Sequence, residues 1–422
     1  MSVPAPGPLA AALLFALGAV GAARAEAPKP PPAVAVAQRA LLVPRGGAIQ
    51  PLAERIDPAL EAMRFEFRGR TPSLLEALQA DATDGFVAIH DGAIVYERYF
   101  GDFGPRDHHL WASCTKSLVG MAFGMLVAEG RIDPARRAVD LVPELRGSGF
   151  ERLTLRQLLN MVAALDFDED YGVSDSEAPA FRYFARLGLV PAAGAGPGDS
   201  APRGIRGFLP LLRADPELEP GAVFDYQSPN VDVIGWIVSR VAGVPLHAFL
   251  AERIWGRLGA EHDAFFSADA DFVPIATGGF NSALRDAARF GLAVLEGGRV
   301  AGEPVLPEPW IADTLAVTAA DREAASRSVF RREGHPAFDA ELEAYRNFWW
   351  ILDAARGELM ARGVYGQYVY VNRAARVVIA SFASAPVPSN ARRDSFKQKL
   401  RATRALADRL AAAGAPRPGP AR

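Results

Sequence analysis

Ser113 and Lys116, in the segment WASCTKSLVG (111–120), are the residues whose types and spacing best suit covalent chemistry. Residues three apart share one face of a helix, so the serine hydroxyl and the lysine amine can meet. Serine becomes a useful nucleophile only when a neighbouring base accepts its proton. Lysine can be that base when burial or nearby cations lower its pKa. The pair therefore predicts a nucleophile and its base.

Lys116 stands out because lysine is rare in this chain. Of 46 basic residues only four are lysine, and between residues 30 and 396 every basic position except 116 is arginine. An arginine side chain keeps its proton in proteins, so it cannot serve as a base. A serine near a helix N-terminus also lies at the positive end of the helix dipole, which favours a developing oxyanion. A chance pair is the alternative, because this spacing alone is weakly specific.

The elements around the pair follow a strand, helix, strand order. DGFVAIHDGAIVYERYF (84–100) alternates apolar and polar residues on both sides of Asp91-Gly92, which predicts a β-hairpin. The helix of Ser113 follows and ends near Gly130, a suitable cap. Strand patterns return in NFWWILDA, GVYGQYVYVN and RVVIASFASA, and an amphipathic helix over 393–414 comes last.

This order predicts an α/β (α+β) fold in which both chain ends form one antiparallel sheet flanked by helices. A mainly helical part is inserted between them. The predicted catalytic domain spans 71–411. Its α/β part comprises 71–135 and 335–411, and its helical part comprises 136–334.

The N-terminal residues are predicted to direct export. An apolar run closes on the small-residue triplet at 23–25, which predicts a signal peptide over 1–25 and a periplasmic or secreted protein. The run is shorter than the roughly 20 apolar residues of a membrane helix, so no stable span is predicted. Residues 26–70, whose first half is rich in Pro and Ala, are predicted to form a linker or arm. Residues 412–422 are predicted to be a disordered tail.

The order of these segments resembles the serine β-lactamase and penicillin-binding-protein superfamily. A Ser-x-x-Lys helix after a hairpin is similar to its class C and carboxylesterase-like branch. LDFDEDY, YQSPNVDVIGWIVSRVAG and TGGFNSALRDAARFG resemble the 6-aminohexanoate-dimer (nylon-oligomer) hydrolases, so that the resemblance covers about residues 75 to 410. It implies a β-lactamase-like fold, acylation of Ser113 with help from Lys116, and no need for a metal or organic cofactor.

In that branch a tyrosine from the helical part approaches the serine, and Tyr226 is the matching residue. It lies between a Pro-Gly turn and an amphipathic helix that ends at Gly243. Its implied role is to shuttle a proton between the hydroxyl of Ser113 and the leaving group. Ser228 stands where the family has Asn, and Asn230 is a candidate substrate contact. A core anchor is the alternative for this tyrosine.

The branch also uses a Lys-Thr-Gly or His-Gly-Gly segment on a strand, and this chain has neither. ARGVYGQYVYV stands in its place, where Gly363 and Gly366 would let a substrate approach the backbone. The resemblance implies an oxyanion hole made by the backbone N–H groups of Ser113 and Val364. A plain bulged strand is the alternative. The candidate substrate contacts here are Arg362, which would replace the missing cation, Tyr365 and Gly366.

Other charged residues give weaker patterns. The acidic run at 166–170 lacks the alternating ligands of a calcium loop, and within it Asp168 is a candidate contact to substrate or Lys116, against a solvated loop as the alternative. Asp286 and Arg289, three apart, predict a surface ion pair. The six histidines lack metal-ligand spacing, so no metal or cofactor site is predicted.

These residues together predict a serine hydrolase that cleaves a small amide or ester through an acyl-enzyme on Ser113, with Lys116 and Tyr226 as proton-transfer groups. A true β-lactamase and a cell-wall DD-peptidase are alternatives, although both normally use a strand that grips a carboxylate. A non-turnover binding protein on the same fold is the alternative from another class. The predicted partner is a small molecule. The net charge of −3 argues against nucleic acid, and the oligomeric state stays open.

Overall fold

The computed structural model describes five stretches of the chain. The predicted signal peptide, the first part of the predicted arm and most of the predicted tail lie outside the described residues. The described stretches are 39–169, 177–188, 204–328, 342–388 and 393–414.

The elements are numbered in chain order within these stretches. The eleven described α-helices are α1 Leu74–Ala80, α2 Cys114–Ala128, α3 Leu155–Leu159, α4 Pro179–Arg186, α5 Gly204–Phe208, α6 Pro229–Ala242, α7 Leu246–Arg253, α8 Leu284–Leu295, α9 Glu308–Leu315, α10 Ala319–Ser326 and α11 Asp394–Gly414. The fourteen described strands are β1 Arg39–Val43, β2 Ala53–Glu54, β3 Thr83–His90, β4 Ala93–Tyr99, β5 His109–Leu110, β6 Ala264–Ala268, β7 Phe280–Ser282, β8 Arg299–Val300, β9 Glu303–Pro304, β10 Ala344–Arg346, β11 Trp349–Asp353, β12 Glu358–Gly363, β13 Gln367–Asn372 and β14 Val377–Ala383.

An eight-stranded sheet joins the two ends of the chain, as predicted. Its order is β10-β11-β12-β13-β14-β3-β4-β2. β14 pairs antiparallel with β3, with Ala383 opposite Thr83. The predicted hairpin is confirmed, because Asp91 and Gly92 connect β3 to β4 with φ of 48° and 74°, which is typical of a two-residue type I′ turn. The edge strand β2 runs parallel to β4, so the sheet is mixed.

Helices cover both faces of this sheet. A Cβ on Gly291 of α8 would lie 2.8 Å from Val369 and 2.6 Å from Val378, so α8 packs closely on one face. Tyr368 precedes Val369 in β13 and points to the other face, because side chains alternate along a strand. Its hydroxyl lies 2.7 Å from the Thr403 Oγ1 of α11. α11 therefore covers the opposite face.

The prediction that Asp286 and Arg289 of α8 form an ion pair is confirmed, but the prediction that the pair lies on the surface is wrong. Asp286 and Arg289 are paired at 3.1 Å, but their side chains are only 0% and 3% exposed. Asp286 accepts hydrogen bonds from the N–H groups of Glu261 and His262, at 2.8 and 3.0 Å. The polar face of α8 therefore packs against a loop, which the spacing along one helix could not reveal.

Two predicted boundaries differ from the structure. α8 belongs by sequence to the predicted helical part but packs on the sheet. The predicted arm contains β1, which pairs with β6 from Arg39 opposite Ala268 to Val43 opposite Ala264. β1 is thus the edge of a four-stranded sheet, in the order β1-β6-β7-β5. A five-residue strand gives little periodicity, which is why it merges with the linker in sequence.

The helix of the reactive pair, α2, runs through the interior. Every residue from 114 to 126 is buried. Glycines allow its close contacts: a Cβ on Gly120 would lie 2.6 Å from the carbonyl oxygen of Asn347, and a Cβ on Gly124 would lie 2.2 Å from the ring of Trp310. α2 is therefore held between the sheet and the helical part.

Among the described residues, no single helix is both long and apolar enough to cross a membrane. The consecutive helices α6 and α7 meet that criterion only as a pair, across a bend of 70°.

Candidate active site

Ser113 lies at the N-terminus of α2, after a strained turn. The Trp111 N–H donates to the Phe280 carbonyl at 2.8 Å and so extends the pairing of β5 with β7. Ala112 then has a φ of 47°, a left-handed conformation that is costly for a residue with a Cβ. Ser113 follows as the N-cap residue, yet its side chain makes no capping hydrogen bond. The hydroxyl is therefore not used to cap the helix, and it lies at the positive end of the helix dipole.

Lys116 lies one turn further along α2 and is 1% exposed. Its Nζ is 2.9 Å from the Ser113 Oγ, 2.7 Å from the Thr277 carbonyl oxygen and 2.9 Å from the Thr277 Oγ1. Burial lowers the pKa of Lys116 to about 8, against the opposing charges of Glu169 and Asp232. The amine can therefore lose its proton near pH 8 and accept one from the serine.

Tyr226 is the third group at the serine hydroxyl. Its side chain hydrogen bonds to that of Ser113, and burial, with the charge of Glu169, raises its pKa well above the usual value. The ring stacks on Trp350 at 5.4 Å and meets Tyr345 edge-on at 5.8 Å. A phenol with a raised pKa stays protonated, so it is better suited to donate a proton than to remove one from the serine.

The acidic run supplies Glu169 to this site. Glu169 accepts hydrogen bonds from the Ser228 N–H and Oγ, both at 2.6 Å, just before α6. Its charge raises the pKa values of Lys116 and Tyr226. Asp168, the predicted candidate, is exposed at the preceding position. The acidic run in the sequence indicated this region, but a loop has no periodicity that would distinguish Glu169 from its acidic neighbours.

Asn230 and Arg362, two candidate substrate contacts, lie in different surroundings. Asn230 is fully buried in the first turn of α6, and its Nδ2 donates to the Met161 Sδ at 3.4 Å. The Cζ of Arg362 lies 5.3 Å from the centre of the Trp350 ring and 4.6 Å from that of Phe396. Arg362 therefore places a guanidinium beside the indole that stacks on the phenol.

The end of β12 packs against the turn that carries the serine. A Cβ on Gly363 would lie 2.5 Å from the Trp111 carbonyl oxygen and 3.1 Å from the Ala112 Cβ. Only glycine allows the two backbones to come so close. Val364, half-buried, follows directly. This contact brings the predicted second donor of the oxyanion hole into the neighbourhood of Ser113, and its role stays a prediction.

Tyr365 and Gly366, the other candidates on this segment, have different neighbours. Tyr365 is buried with a φ of 60°, and its N–H donates to the Pro388 carbonyl at 3.1 Å. Gly366 has a φ of 100°, and a Cβ there would lie 2.8 Å from the Asp81 Oδ2 and 3.2 Å from the Arg393 Nη2. The structure thus places Gly366 against a buried ion pair of Asp81 and Arg393, and Tyr365 against the segment that ends at Pro388.

Three residues that no sequence pattern indicated lie behind the amine. Thr277 holds Lys116 through its carbonyl and hydroxyl oxygens, and its N–H donates to the Asp232 Oδ1 at 3.2 Å. The Tyr183 hydroxyl donates to the Asp232 Oδ2. Burial raises the pKa of Asp232 to about 7. These residues come from three separate parts of the chain. Thr277 and Asp232 lie in two of the segments that resemble the 6-aminohexanoate-dimer hydrolases, but no spacing singles out either residue, and Tyr183 lies in neither segment.

The arrangement suits covalent acyl transfer. The Ser113 hydroxyl, at a helix N-terminus, is contacted both by an amine that can lose its proton and by a neutral phenol. In the part of the chain that the structure describes, no three His, Cys, Asp or Glu side chains are grouped to hold a metal ion.

Known proteins share both the sequence and the fold. The beta-lactamase family model matches residues 73–403. The chain is 33% identical over 350 residues to the 6-aminohexanoate-dimer hydrolase of Paenarthrobacter ureafaciens, which covers 82% of this chain and 85% of that protein. A solved Bacillus anthracis structure, assigned provisionally as a 6-aminohexanoate-dimer hydrolase, superposes with a TM-score of 0.75 at 27% identity over 88% of this chain and 91% of its own.

A more distant structure supports the fold alone. A family VIII carboxylesterase superposes with a TM-score of 0.55 at 16% identity, over 80% of this chain and 96% of its own. The family match spans most of the chain and includes every residue of the arrangement described above. The chain therefore belongs to the beta-lactamase family and is a serine hydrolase of that family.

Proposed function

We propose that the protein hydrolyses a small amide or ester through an acyl-enzyme on Ser113. The observation that carries this proposal is the buried amine of Lys116, 2.9 Å from the Ser113 Oγ with its pKa lowered to about 8. Among the described residues, the three atoms within hydrogen-bond distance of that amine are neutral oxygens of Ser113 and Thr277. A buried ammonium with neutral partners is a poor structural anchor, because burying its charge is costly. The same group is well suited to accept and return a proton.

Acylation would use the three groups in turn. As the Ser113 Oγ bonds to the substrate carbonyl carbon, its proton passes to the Lys116 Nζ and an electron pair moves onto the carbonyl oxygen. The N–H groups of Ser113 and Val364 would stabilise that oxyanion. Tyr226 gives its proton to the leaving amine or alcohol as the bond to carbon breaks, and the Lys116 ammonium then returns a proton to the phenolate.

Deacylation would repeat these steps with water. Water loses a proton to the amine of Lys116 as its oxygen bonds to the acyl carbon. The Ser113 oxygen leaves with the electron pair of the ester bond and regains a proton through Tyr226. The net reaction adds one water to the substrate and returns every residue to its starting state.

A linear amide with a terminal carboxylate is the substrate class that we favour. The relative with 33% identity is named a 6-aminohexanoate-dimer hydrolase. The resemblance places ARGVYGQYVYV (361–371) where penicillin-recognising relatives have Lys-Thr-Gly. Arg362 offers a guanidinium between the rings of Trp350 and Phe396. A carboxylate on an aliphatic chain would meet both a cation and an apolar surface there.

Intact-protein mass after brief exposure to substrates tests the proposal. The panel is a p-nitrophenyl ester, the linear 6-aminohexanoate dimer and a penicillin, applied to wild type and to Ser113→Ala. We expect an acyl adduct or turnover with the ester and the dimer, and neither in Ser113→Ala. Ser117→Ala is the matched control. Ser117 lies on the same helix as Ser113, but its hydroxyl donates to the Phe348 carbonyl at 2.7 Å.

Other outcomes would redirect the assignment. An adduct from the penicillin alone would favour a β-lactamase or a DD-peptidase. An adduct that persists in Ser113→Ala would show that the nucleophile is another residue. No adduct and no turnover with the whole panel would favour a binding protein on the same fold.

A further inference from the structure

Asp232 is a buried carboxyl group that the proposed reaction does not use. It lies in α6 and is 4% exposed. Its hydrogen-bond partners among the described residues are neutral donors, the Thr277 N–H and the Tyr183 hydroxyl. A buried carboxylate without a bonded cation is costly, so it is retained where its charge acts on another group.

The group on which it acts is Lys116. Thr277 connects the two, because its N–H donates to Asp232 while its carbonyl and hydroxyl oxygens hold the Lys116 amine. The electrostatic effect is mutual: Lys116 lowers the pKa of Asp232, and Asp232 raises that of Lys116. The carboxylate and the base are therefore linked geometrically, through Thr277, and electrostatically, through their own charges.

We propose that Asp232 is a positioning residue for catalysis, whose ionised carboxylate fixes Thr277 against Lys116 and determines the pH above which Lys116 can activate Ser113. This inference rests on the proposed role of Lys116 as the base. Asp232 does not touch the substrate, and it acts only through Thr277 and through its charge.

Several other groups face this cluster. Glu169 also raises the pKa of Lys116, but it is bonded to Ser228, whereas Asp232 is bonded to the residue that holds the amine. Asp232 is therefore the carboxylate that can set both the position and the protonation of the base. The groups that face Lys116 are Glu169, Cys114, Asp232 and the ring of Tyr226, and those that face Asp232 are Tyr183, Lys116 and Asp269.

Asp232→Asn separates charge from geometry. The amide keeps an acceptor for the Thr277 N–H and a donor for the Tyr183 oxygen, and it removes the negative charge. Loss of that charge destabilises the ammonium form of Lys116, so the pKa of Lys116 falls. The serine should then be activated at lower pH than in wild type.

The test is the rate of Ser113 labelling by a p-nitrophenyl alkylphosphonate as a function of pH, followed by intact mass. The Ser113 Oγ bonds to phosphorus, its proton passes to Lys116 and p-nitrophenolate leaves, so neither the natural substrate nor deacylation is needed. Wild-type labelling should rise with pH around a midpoint of about 8. In Asp232→Asn the midpoint should fall below the wild-type value. The difference in rate should be largest between about pH 7 and 8, where Asp232 is ionised in wild type, and should disappear at lower pH, where the wild-type carboxyl group is itself protonated.

Two further variants keep the outcome clear. Tyr183→Phe removes one donor from Asp232 and keeps the ring, so Asp232 is less ionised near neutral pH and the midpoint should also fall; it carries the test if Asp232→Asn does not fold. Asp286→Asn removes a carboxylate that is equally buried but bonded to Glu261 and His262. Its midpoint should equal that of wild type, whatever it does to thermal stability.

An unchanged midpoint in folded Asp232→Asn or Tyr183→Phe would overturn the inference, while loss of labelling in Ser113→Ala would leave the proposed function standing. Labelling of Ser113→Ala at the wild-type rate would instead contradict the proposed function itself. The two failures are therefore distinguishable in one experiment.

Discussion

Lys116 is close to the boundary between its charged and neutral forms because opposing effects act on it. Burial removes water from the ammonium and lowers the pKa, whereas Glu169 and Asp232 favour the charge. The resulting value of about 8 means that small changes in these neighbours alter the fraction of neutral amine near neutral pH. An arginine could not be tuned in this way.

Lys116→Arg should reduce kcat/KM by about 10²–10⁴-fold, because a guanidinium cannot take the Ser113 proton. Activity on a p-nitrophenyl ester, with thermal unfolding as a check on folding, measures this. Lys397→Arg is the matched control, since Lys397 lies on α11 with its Nζ 3.8 Å from Asp394. A folded Lys116→Arg enzyme with wild-type activity would exclude Lys116 as the base.

The residues of the site differ in how far the sequence could reveal them. Ser113 and Lys116 were recognisable because both lie within one helical turn. Thr277 lies 161 residues from the amine that it binds, and the Asp232 carboxylate lies 45 residues from Thr277. Contacts of that kind depend on tertiary packing and leave no local spacing to read.

At the scale of elements, the site is a junction between the end of β12 and the start of α2. The strand, the hairpin and the helix were predictable from alternation, from the Asp91-Gly92 turn and from Gly130, which has a φ of 69° just after α2. The close approach of β12 to α2 was not predictable. A side chain at position 363 would collide with the carbonyl oxygen of Trp111, about 250 residues earlier in the chain. A glycine in a strand pattern gives no hint of its partner.

Gly363→Ala should slow phosphonate labelling of Ser113 by about 10²-fold or more. Its Cβ would lie 2.5 Å from the Trp111 carbonyl oxygen, so the backbone of β12, and with it the Val364 N–H, must move away from the serine. Gly47→Ala is the matched control, because a Cβ there meets nothing within 4 Å. Normal labelling in folded Gly363→Ala would show that the oxyanion hole does not depend on Val364.

At the scale of the molecule, a buried ion cluster fastens the C-terminal helix to the N-terminal part. The Asp81 carboxylate, at the end of α1, lies 2.8 Å from the Lys399 Nζ, 2.8 Å from the Arg393 Nη2 and 2.9 Å from the Ser395 Oγ of α11. The Lys399 Nζ also donates to the Gly366 carbonyl at 3.2 Å. The strand turn after β12 thus shares its support with the docking of α11.

Asp81→Asn should lower the free energy of unfolding by about 3–5 kcal/mol, because two buried cations lose their carboxylate. Burial opposes ionisation of Asp81, yet the charges of Lys399 and Arg393 hold its pKa below the usual value. The stabilisation is therefore present above about pH 4 and is lost as the pH falls further, so the two proteins should converge in acid. Denaturant unfolding at neutral pH and near pH 3 measures both effects.

Asp394→Asn is the control for this prediction. Its side chain is 62% exposed and pairs with Arg68 at 2.8 Å, so its loss should cost less than about 1 kcal/mol. Equal destabilisation by the two substitutions would contradict a special role for the buried cluster.

The pairing of β14 with β3 also determines when the central sheet can form during synthesis. Thr83 pairs with Ala383, 300 positions later, so the sheet cannot be completed until β14 has been made. Ser113 and Lys116 leave the ribosome early, but β12 and α11 follow only after most of the chain has been made. If Ser113 is the nucleophile and Val364 completes the oxyanion hole, as proposed, the nascent chain contains the first long before the second, and hydrolysis should begin only when translation is complete.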